Sequence, residues 1–263
     1  MEKQELLNNI NKVHTTALGE QRIKNNLNLN IKNVVSFCKN KIKNKDCIVY
    51  KKGKNYYAHT SGYVFTINSF SFTIITARND KIMELTTDRL ILNSFKMEDK
   101  QDVARICSNP IFSKNIPNMP VPYTIEQAES FLTMAIEKFN SKTEYPFAIR
   151  LKENNQLIGN IHLMCKFKAN RAEIGCWLDE NYWGKGIMTE AAIKIIDFAF
   201  NTLKLHKLIW SALSFNKGSC GVALKLGFIK ECEQKEYEFV KGKYADSYSF
   251  GLINPNDKNV EKW

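Results

Sequence analysis

The stretch Arg171–Ala191, RAEIGCWLDENYWGKGIMTEA, constrains the fold of this 263-residue chain more than any other. Its first part, Arg171–Leu178, reads as a strand. From Met188 to about Leu203, apolar residues recur at helical spacing, with Met188, Ala192, Ile195, Ile196, Ala199 and Leu203 on one face. Between them, Asn181-Tyr182-Trp183-Gly184-Lys185-Gly186 sets two glycines two positions apart, immediately before the helix starts. Glycine allows a tight turn and a close approach of backbone to a ligand. The first amides of a helix have no partner within it. The N–H groups of Gly184, Lys185, Gly186, Ile187, Met188 and Thr189 are therefore expected to converge on an anion, with the partial positive charge of the helix end behind them. A phosphate or pyrophosphate fits such a cradle, although an ordinary tight strand–helix turn would read the same. The spacing is neither G-x-G-x-x-G nor G-x-x-x-x-G-K-[ST], so neither a dinucleotide fingerprint nor a P-loop is indicated.

With Glu173-Ile174-Gly175-x-Trp177-Leu178 ahead of it and Thr189-Glu190-Ala191 behind, the turn resembles the acyl-CoA-binding motif of the GNAT superfamily of N-acetyltransferases, [Q/R]-x-x-G-x-[G/A]. Asn181 stands where that pattern has Gln or Arg. The resemblance is to the branch that includes the ribosomal-protein N-terminal acetyltransferases. It continues in Asn216-Lys217-Gly218-Ser219 and Lys225-Leu226-Gly227-Phe228, and covers roughly Glu84 to Ile253. It implies an α+β, mixed-sheet acyl-CoA N-acyltransferase fold, with acetyl-CoA as cosubstrate. In such a fold the strand ending at Leu178 splays from a strand at Leu208–Leu213, and the pantetheine arm slots into the gap. The implied contacts are Gly175, Cys176 and Trp177 at the thioester, Gly184 to Thr189 at the phosphates, and Asn216 and Ser219 beside the arm.

The net charge of +11 is unevenly placed. Residues 1–81 carry 14 Lys/Arg against 5 Asp/Glu, whereas the remainder is close to balance. Two units are expected, a small basic α+β domain over 1–80 and a catalytic domain over 84–257. In the first, helices near Leu6–Val13, Gly19–Leu27 and Ile31–Asn44 precede strands at Cys47–Tyr50, Asn55–Ala58, Gly62–Thr66 and Phe72–Thr76. This segment resembles an uncharacterised bacterial family through His14–Asn26, Gly53–Tyr57 and Thr66–Ala77, which supplies no activity. The run Tyr50–Tyr57 mixes lysines with tyrosines as single-strand binders do, so nucleic acid is a possible partner there; a hairpin with solvated lysines has the same composition. His14 and His59 read as structural.

No apolar run approaches the ~18–20 residues of a membrane span, and no secretory pattern opens the chain, so a cytoplasmic monomer or homodimer is expected. The seven cysteines are scattered, without a C-x-x-C pair, which predicts free thiols and neither disulfides nor a metal site.

Within the second unit a strand is expected at Thr86–Leu92, then a helix over Met97–Ser108. A long proline-bearing connection should run over Asn109–Tyr123, which in the family borders the acceptor. Thr124-x-x-Gln127 is a capping box that opens the next helix. Strands follow at Tyr145–Lys152, Gln156–Met164 and Arg171–Leu178. After the cradle helix come Leu208–Leu213, a short helix at Gly218–Leu226, a strand at Phe228–Cys232 and two around Lys241-Gly242.

Acylating an amine requires its neutral form. An α-amine of pKa ~7.8 is about one-third neutral at pH 7.5, against roughly 0.1% for a lysine at ~10.4, a gap worth about 3.5 kcal/mol. One base acting through water serves the α-amine. Glu173 on the cradle strand is the expected base and His162 the second candidate. Relatives place a Tyr at the position of Ala223 to protonate the leaving thiolate, so here Ser219 or water would serve. Cys176 is read as packing, since no acyl-enzyme is needed. The acceptor is expected to be a protein N-terminus. A small amine such as a polyamine or aminoglycoside is the second reading, and an acyl-CoA-sensing adaptor whose basic domain binds nucleic acid is the third.

Overall fold

The computed structural model describes residues 2–44, 47–60, 62–79, 83–117 and 119–257. It divides into two compact units, Met1–Met83 and Glu84–Trp263.

The first unit opens with α1 (Glu2–Asn8), α2 (Ala17–Leu27) and α3 (Val34–Lys43). The side chains of Thr16 and Asn33 cap α2 and α3 by accepting from the Gly19 and Ser36 amides. An antiparallel meander follows: β1 (Ile48–Lys52), β2 (Asn55–Thr60), β3 (Tyr63–Asn68) and β4 (Ile74–Asn79), in that spatial order. Leu6, Ile23, Val34, Cys38 and Ile42 of the helices share one core with Tyr56, Phe65, Ile67 and Ala77 of the strands. Tyr56 is thus spent on the core and is no base-stacking surface. His14 bridges Lys12 O and Thr73 Oγ1 through its two ring nitrogens, the structural role expected of it.

The second unit is built on an eight-stranded sheet, ordered β11-β12-β10-β9-β8-β7-β6-β5. Its elements in chain order are β5 (Glu84–Thr86), β6 (Leu90–Ser94), α4 (Lys100–Cys107), α5 (Pro110–Asn115), α6 (Ile125–Ser141), β7 (Tyr145–Leu151), β8 (Leu157–Lys166), β9 (Arg171–Leu178), α7 (Ile187–Asp197), β10 (Lys207–Leu213), α8 (Lys217–Lys225), β11 (Ile229–Val240) and β12 (Lys243–Ile253). The sheet is antiparallel except for β9 and β10, which α7 connects, as a crossover helix requires of a parallel pair. This is the α+β mixed-sheet architecture expected from the sequence.

Several boundaries differ from expectation. The Asn109–Tyr123 connection contains α5, a six-residue helix with the Asn109 side chain as its cap and Pro110 in its first turn. Proline costs nothing there, because the first helical N–H has no intrahelical partner. The strand expected at Thr86–Leu92 is interrupted at Thr87–Arg89 and becomes β5 and β6. Phe198–Thr202, expected as the end of the cradle helix, winds as a π-turn. Phe228–Cys232 and the next strand merge into the single long β11.

Arg150 of β7 anchors the entry to α4. Its guanidinium donates to both carboxylate oxygens of Asp99, at 2.9 and 2.6 Å, and to Asn93 Oδ1 at 3.0 Å. Asp99 also accepts from the Lys96 amide at 2.7 Å, and both charged side chains are buried. Four of the seven cysteines, Cys38, Cys47, Cys107 and Cys220, are buried. Among the described residues no helix is long and apolar enough to cross a membrane.

Candidate active site

At the head of α7, Gly184 and Gly186 adopt φ of +72° and +75°. Both lie in the left-handed region that glycine enters without a Cβ penalty. Among the described residues no acceptor takes the N–H of Gly184, Lys185, Gly186, Ile187, Met188 or Thr189; the first internal bond of the helix runs from Glu190 N to Gly186 O. Arg89 holds the turn from behind: it donates to Lys185 O at 3.1 Å and to Glu190 Oε2 at 2.6 Å. Glu190 also accepts from Thr87 Oγ1 and the Arg89 amide. Burial works to raise the Glu190 pKa, but these donors together hold it below the ordinary carboxylate range. The Glu190 carboxylate is thereby held in its charged form against the Arg89 guanidinium. Asn181 is turned toward the Asp179 carboxylate, which its amide and side chain both engage.

The parallel pairing of β9 and β10 runs only from Arg171↔Lys207 to Ile174↔Trp210. Beyond it β9 stays with β8, and β10 stays with β12. Asp179 N donates to Ile158 O at 2.8 Å, and antiparallel amides alternate in direction. Gly175 and Trp177 therefore address β8, whereas Cys176 and Leu178 address the opening. The Cys176 N–H is the donor this places inside the splay. Its side chain is no nucleophile, because burial pushes the thiol up to about 12. Trp177 packs against Phe95, Phe112 and Phe131, with ring centroids 6.3–6.4 Å away.

A cavity of about 890 Å³ joins these parts. Of the residues singled out from the sequence, Gly175, Cys176, Trp177, Gly184, Gly186, Met188, Thr189, Asn216 and Ser219 line it, while Lys185 and Ile187 do not. Ile187 is buried beneath the turn, and Lys185 extends over the Tyr182 ring. Asn216 caps α8, its Oδ1 accepting from Ser219 N. Ser219 Oγ accepts from Trp210 Nε1 at 2.8 Å, which leaves the hydroxyl hydrogen free to be donated. Ala223 is fully buried.

Glu173 is outside the cavity lining. It sits in the closed part of the sheet, opposite Met164 on β8 and Ile209 on β10. His162 does line the cavity, directly across from Gly175. Its Nε2 lies 2.7 Å from Glu144 Oε2, outside hydrogen-bond geometry, and Lys138 Nζ holds the other Glu144 oxygen at 2.8 Å. Burial pushes His162 down to about 4, against the opposing pull of Glu144. Burial thus favours the neutral imidazole, and the Glu144 carboxylate beside it is placed to stabilise the imidazolium formed when the ring takes up a proton.

A mixed sheet that opens between two parallel strands, with a helix N-terminus at the head of the gap, is the architecture of an acyl-CoA N-acyltransferase. Residues 89–229 match the acetyltransferase (GNAT) domain, and residues 7–78 match a protein family of unknown function (DUF3781). The chain belongs to the GNAT acetyltransferases and is an N-acetyltransferase of that type. It is 33% identical to the uncharacterised N-acetyltransferase p20 of Bacillus licheniformis, over 64% of this chain and 95% of that protein. It is 28% identical to the ribosomal-protein-serine acetyltransferase of Escherichia coli, over 56% of this chain and 83% of that one. A structure of the ribosomal L7/L12 α-N-protein acetyltransferase in complex with coenzyme A shares the fold, with TM-score 0.61 at 18% identity, covering 66% of this chain and 98% of that one.

Proposed function

We propose that the chain transfers acetyl from acetyl-CoA to a primary amine by direct attack, and that the amine is the α-amine of a protein N-terminus. The observation that carries this reading is the row of unpartnered amides from Gly184 to Thr189, opening onto a cavity that runs into the splay of β9 and β10. Such amides suit the diphosphate of acetyl-CoA, and the splay suits its arm. The relatives named for ribosomal-protein acetylation support a protein acceptor.

Acetyl-CoA supplies the activated acyl group; this chain supplies the rest. The Cys176 amide donates to the acyl oxygen as that atom gains charge, the usual source of acyl-transfer stabilisation. Ser219, acidified by the Trp210 indole, gives a proton to the departing sulfur. His162 takes the proton of the amine, directly or through water, and Glu144 balances the charge that develops. That role passes to His162 from Glu173 because only His162 reaches the cavity.

The test is incubation of the full chain with labelled acetyl-CoA and a panel of peptides and small amines. Label transferred to peptide N-termini supports the proposal, and a panel labelled only on lysine side chains or small amines defeats the N-terminal assignment. His162→Gln is expected to lower kcat/KM about 100-fold with acetyl-CoA affinity unchanged. Since His162 is already neutral at pH 7, kcat/KM of the unaltered chain should fall as pH drops through the acceptor's own pKa, ~7.8 for an α-amine. An unchanged kcat/KM in the His162 variant would remove it as the base.

A further inference from the structure

The part of the cavity left over by the cofactor reading has a chemistry of its own. Acetyl-CoA held at α7 with its arm between β9 and β10 uses walls from α7, α8 and those strands. The remaining wall comes from α4, α5, the segment after it, and α6: Phe112, Ile116, Met119, Tyr123 and Phe131, continuous with Trp177. Apart from the uncharged Asn115 amide, the side chains at this end are apolar or aromatic, and burial raises the Tyr123 phenol far above its ordinary range. Among the described lining residues there is no Asp or Glu. Among the described lining residues, the side chains that carry charge are Lys217 and Lys225 of α8, both positive. Of the carboxylates on the adjoining elements, Asp179 is held by Arg105 at 3.0 Å and Glu180 by Asn109 at 2.7 Å, while Glu144 gives one oxygen to Lys138 and keeps the other behind the His162 ring.

We infer that this end of the cavity selects a primary amine whose body beside the nitrogen is apolar and uncharged, such as a peptide N-terminus with apolar second and third residues, and turns away polyamines and aminoglycosides. The inference rests on the N-acetyltransferase reading and sharpens its substrate class. A second ammonium entering this wall would lose water without gaining a carboxylate, and an unpaired buried charge is strongly disfavoured. Apolar side chains instead bury surface against Phe112, Met119 and Phe131. The reacting amine escapes the penalty because it must be neutral to attack.

The experiment uses the full chain with acetyl-CoA and three acceptors: a hexapeptide beginning Ala-Leu-Phe, a matched one beginning Ala-Lys-Lys, and spermidine. Thiol release is read with a chromogenic reagent. The Leu-Phe peptide should exceed the Lys-Lys peptide in kcat/KM by about 100-fold, with spermidine slower still. Met119→Glu should narrow the peptide gap at least about tenfold, with acetyl-CoA affinity unchanged by calorimetry. Equal or faster turnover of the Lys-Lys peptide or spermidine overturns the inference. If no acceptor releases thiol, titrating the two peptides calorimetrically still decides: preferential binding of the Leu-Phe peptide supports it, and equal or reversed binding, or none, overturns it. Acetyl-CoA titrated in the same instrument reports separately on the cofactor reading.

Discussion

Gly186→Asp is expected to lower acetyl-CoA affinity by at least about 100-fold while leaving the chain folded. The substituted residue would keep φ near +75°, a conformation that costs an L-residue about 1–2 kcal/mol and that Asp tolerates better than most. A Cβ there meets nothing closer than Arg89 Nη2 at 3.8 Å, so packing does not forbid it. The carboxylate would nonetheless add a negative charge at the helix head proposed to hold the diphosphate, with Arg89 as its nearest cation. Two like charges about 4 Å apart at an effective dielectric near 20 repel by roughly 4 kcal/mol, close to three decades in affinity. Calorimetry with acetyl-CoA, paired with a thermal melt, separates the two effects. Undiminished affinity in a folded variant would mean the phosphates bind elsewhere.

Asp99→Ala should cost the second unit about 3–5 kcal/mol, the range for stranding one member of a buried ion pair. Arg150 would then keep its charge in a buried site, with Asn93 as its remaining hydrogen-bond partner. The Lys96 amide would also lose its acceptor where the chain turns into α4. For a unit of this size the loss corresponds to a melting temperature lower by roughly 10 °C. The double variant Asp99→Leu/Arg150→Met should recover most of it, because removing both charges relieves the desolvation cost. A drop under about 1 kcal/mol for Asp99→Ala would show that water or another group solvates Arg150.

What the sequence made legible was local. The two glycines before α7 need no partner to be informative, since their spacing and the helix behind them define the turn. The Thr124–Gln127 box marked the start of α6, and the structure closes both of its hydrogen bonds. By contrast, α5 was hidden among prolines, although Asn109-Pro110 carries a cap and a first-turn proline. Six residues leave too little periodicity to outweigh a loop-like composition. The proposal of His162 in place of Glu173 rests on where β9 and β10 part company, and that boundary is set by pairing between segments distant in sequence. Strand alternation could tell which residues share a face, but not how far the sheet stays closed. The Arg89–Glu190 buttress and the Trp210–Ser219 bond were missed for the same reason, as each joins separate elements.

The four residue pairs that couple β9 to β10 are a narrow seam in a broad sheet. On one side lie β5 to β9, on the other β10 to β12, and past Ile174 nothing in the backbone ladder ties them. A ligand arm that offers amide donors and acceptors along the wedge would act as a zip, completing by borrowed hydrogen bonds what the polypeptide leaves unmade. On the proposed reading, occupancy and mechanical continuity of this unit would become one quantity: the loaded unit a single slab, the empty one two leaves sharing a short spine.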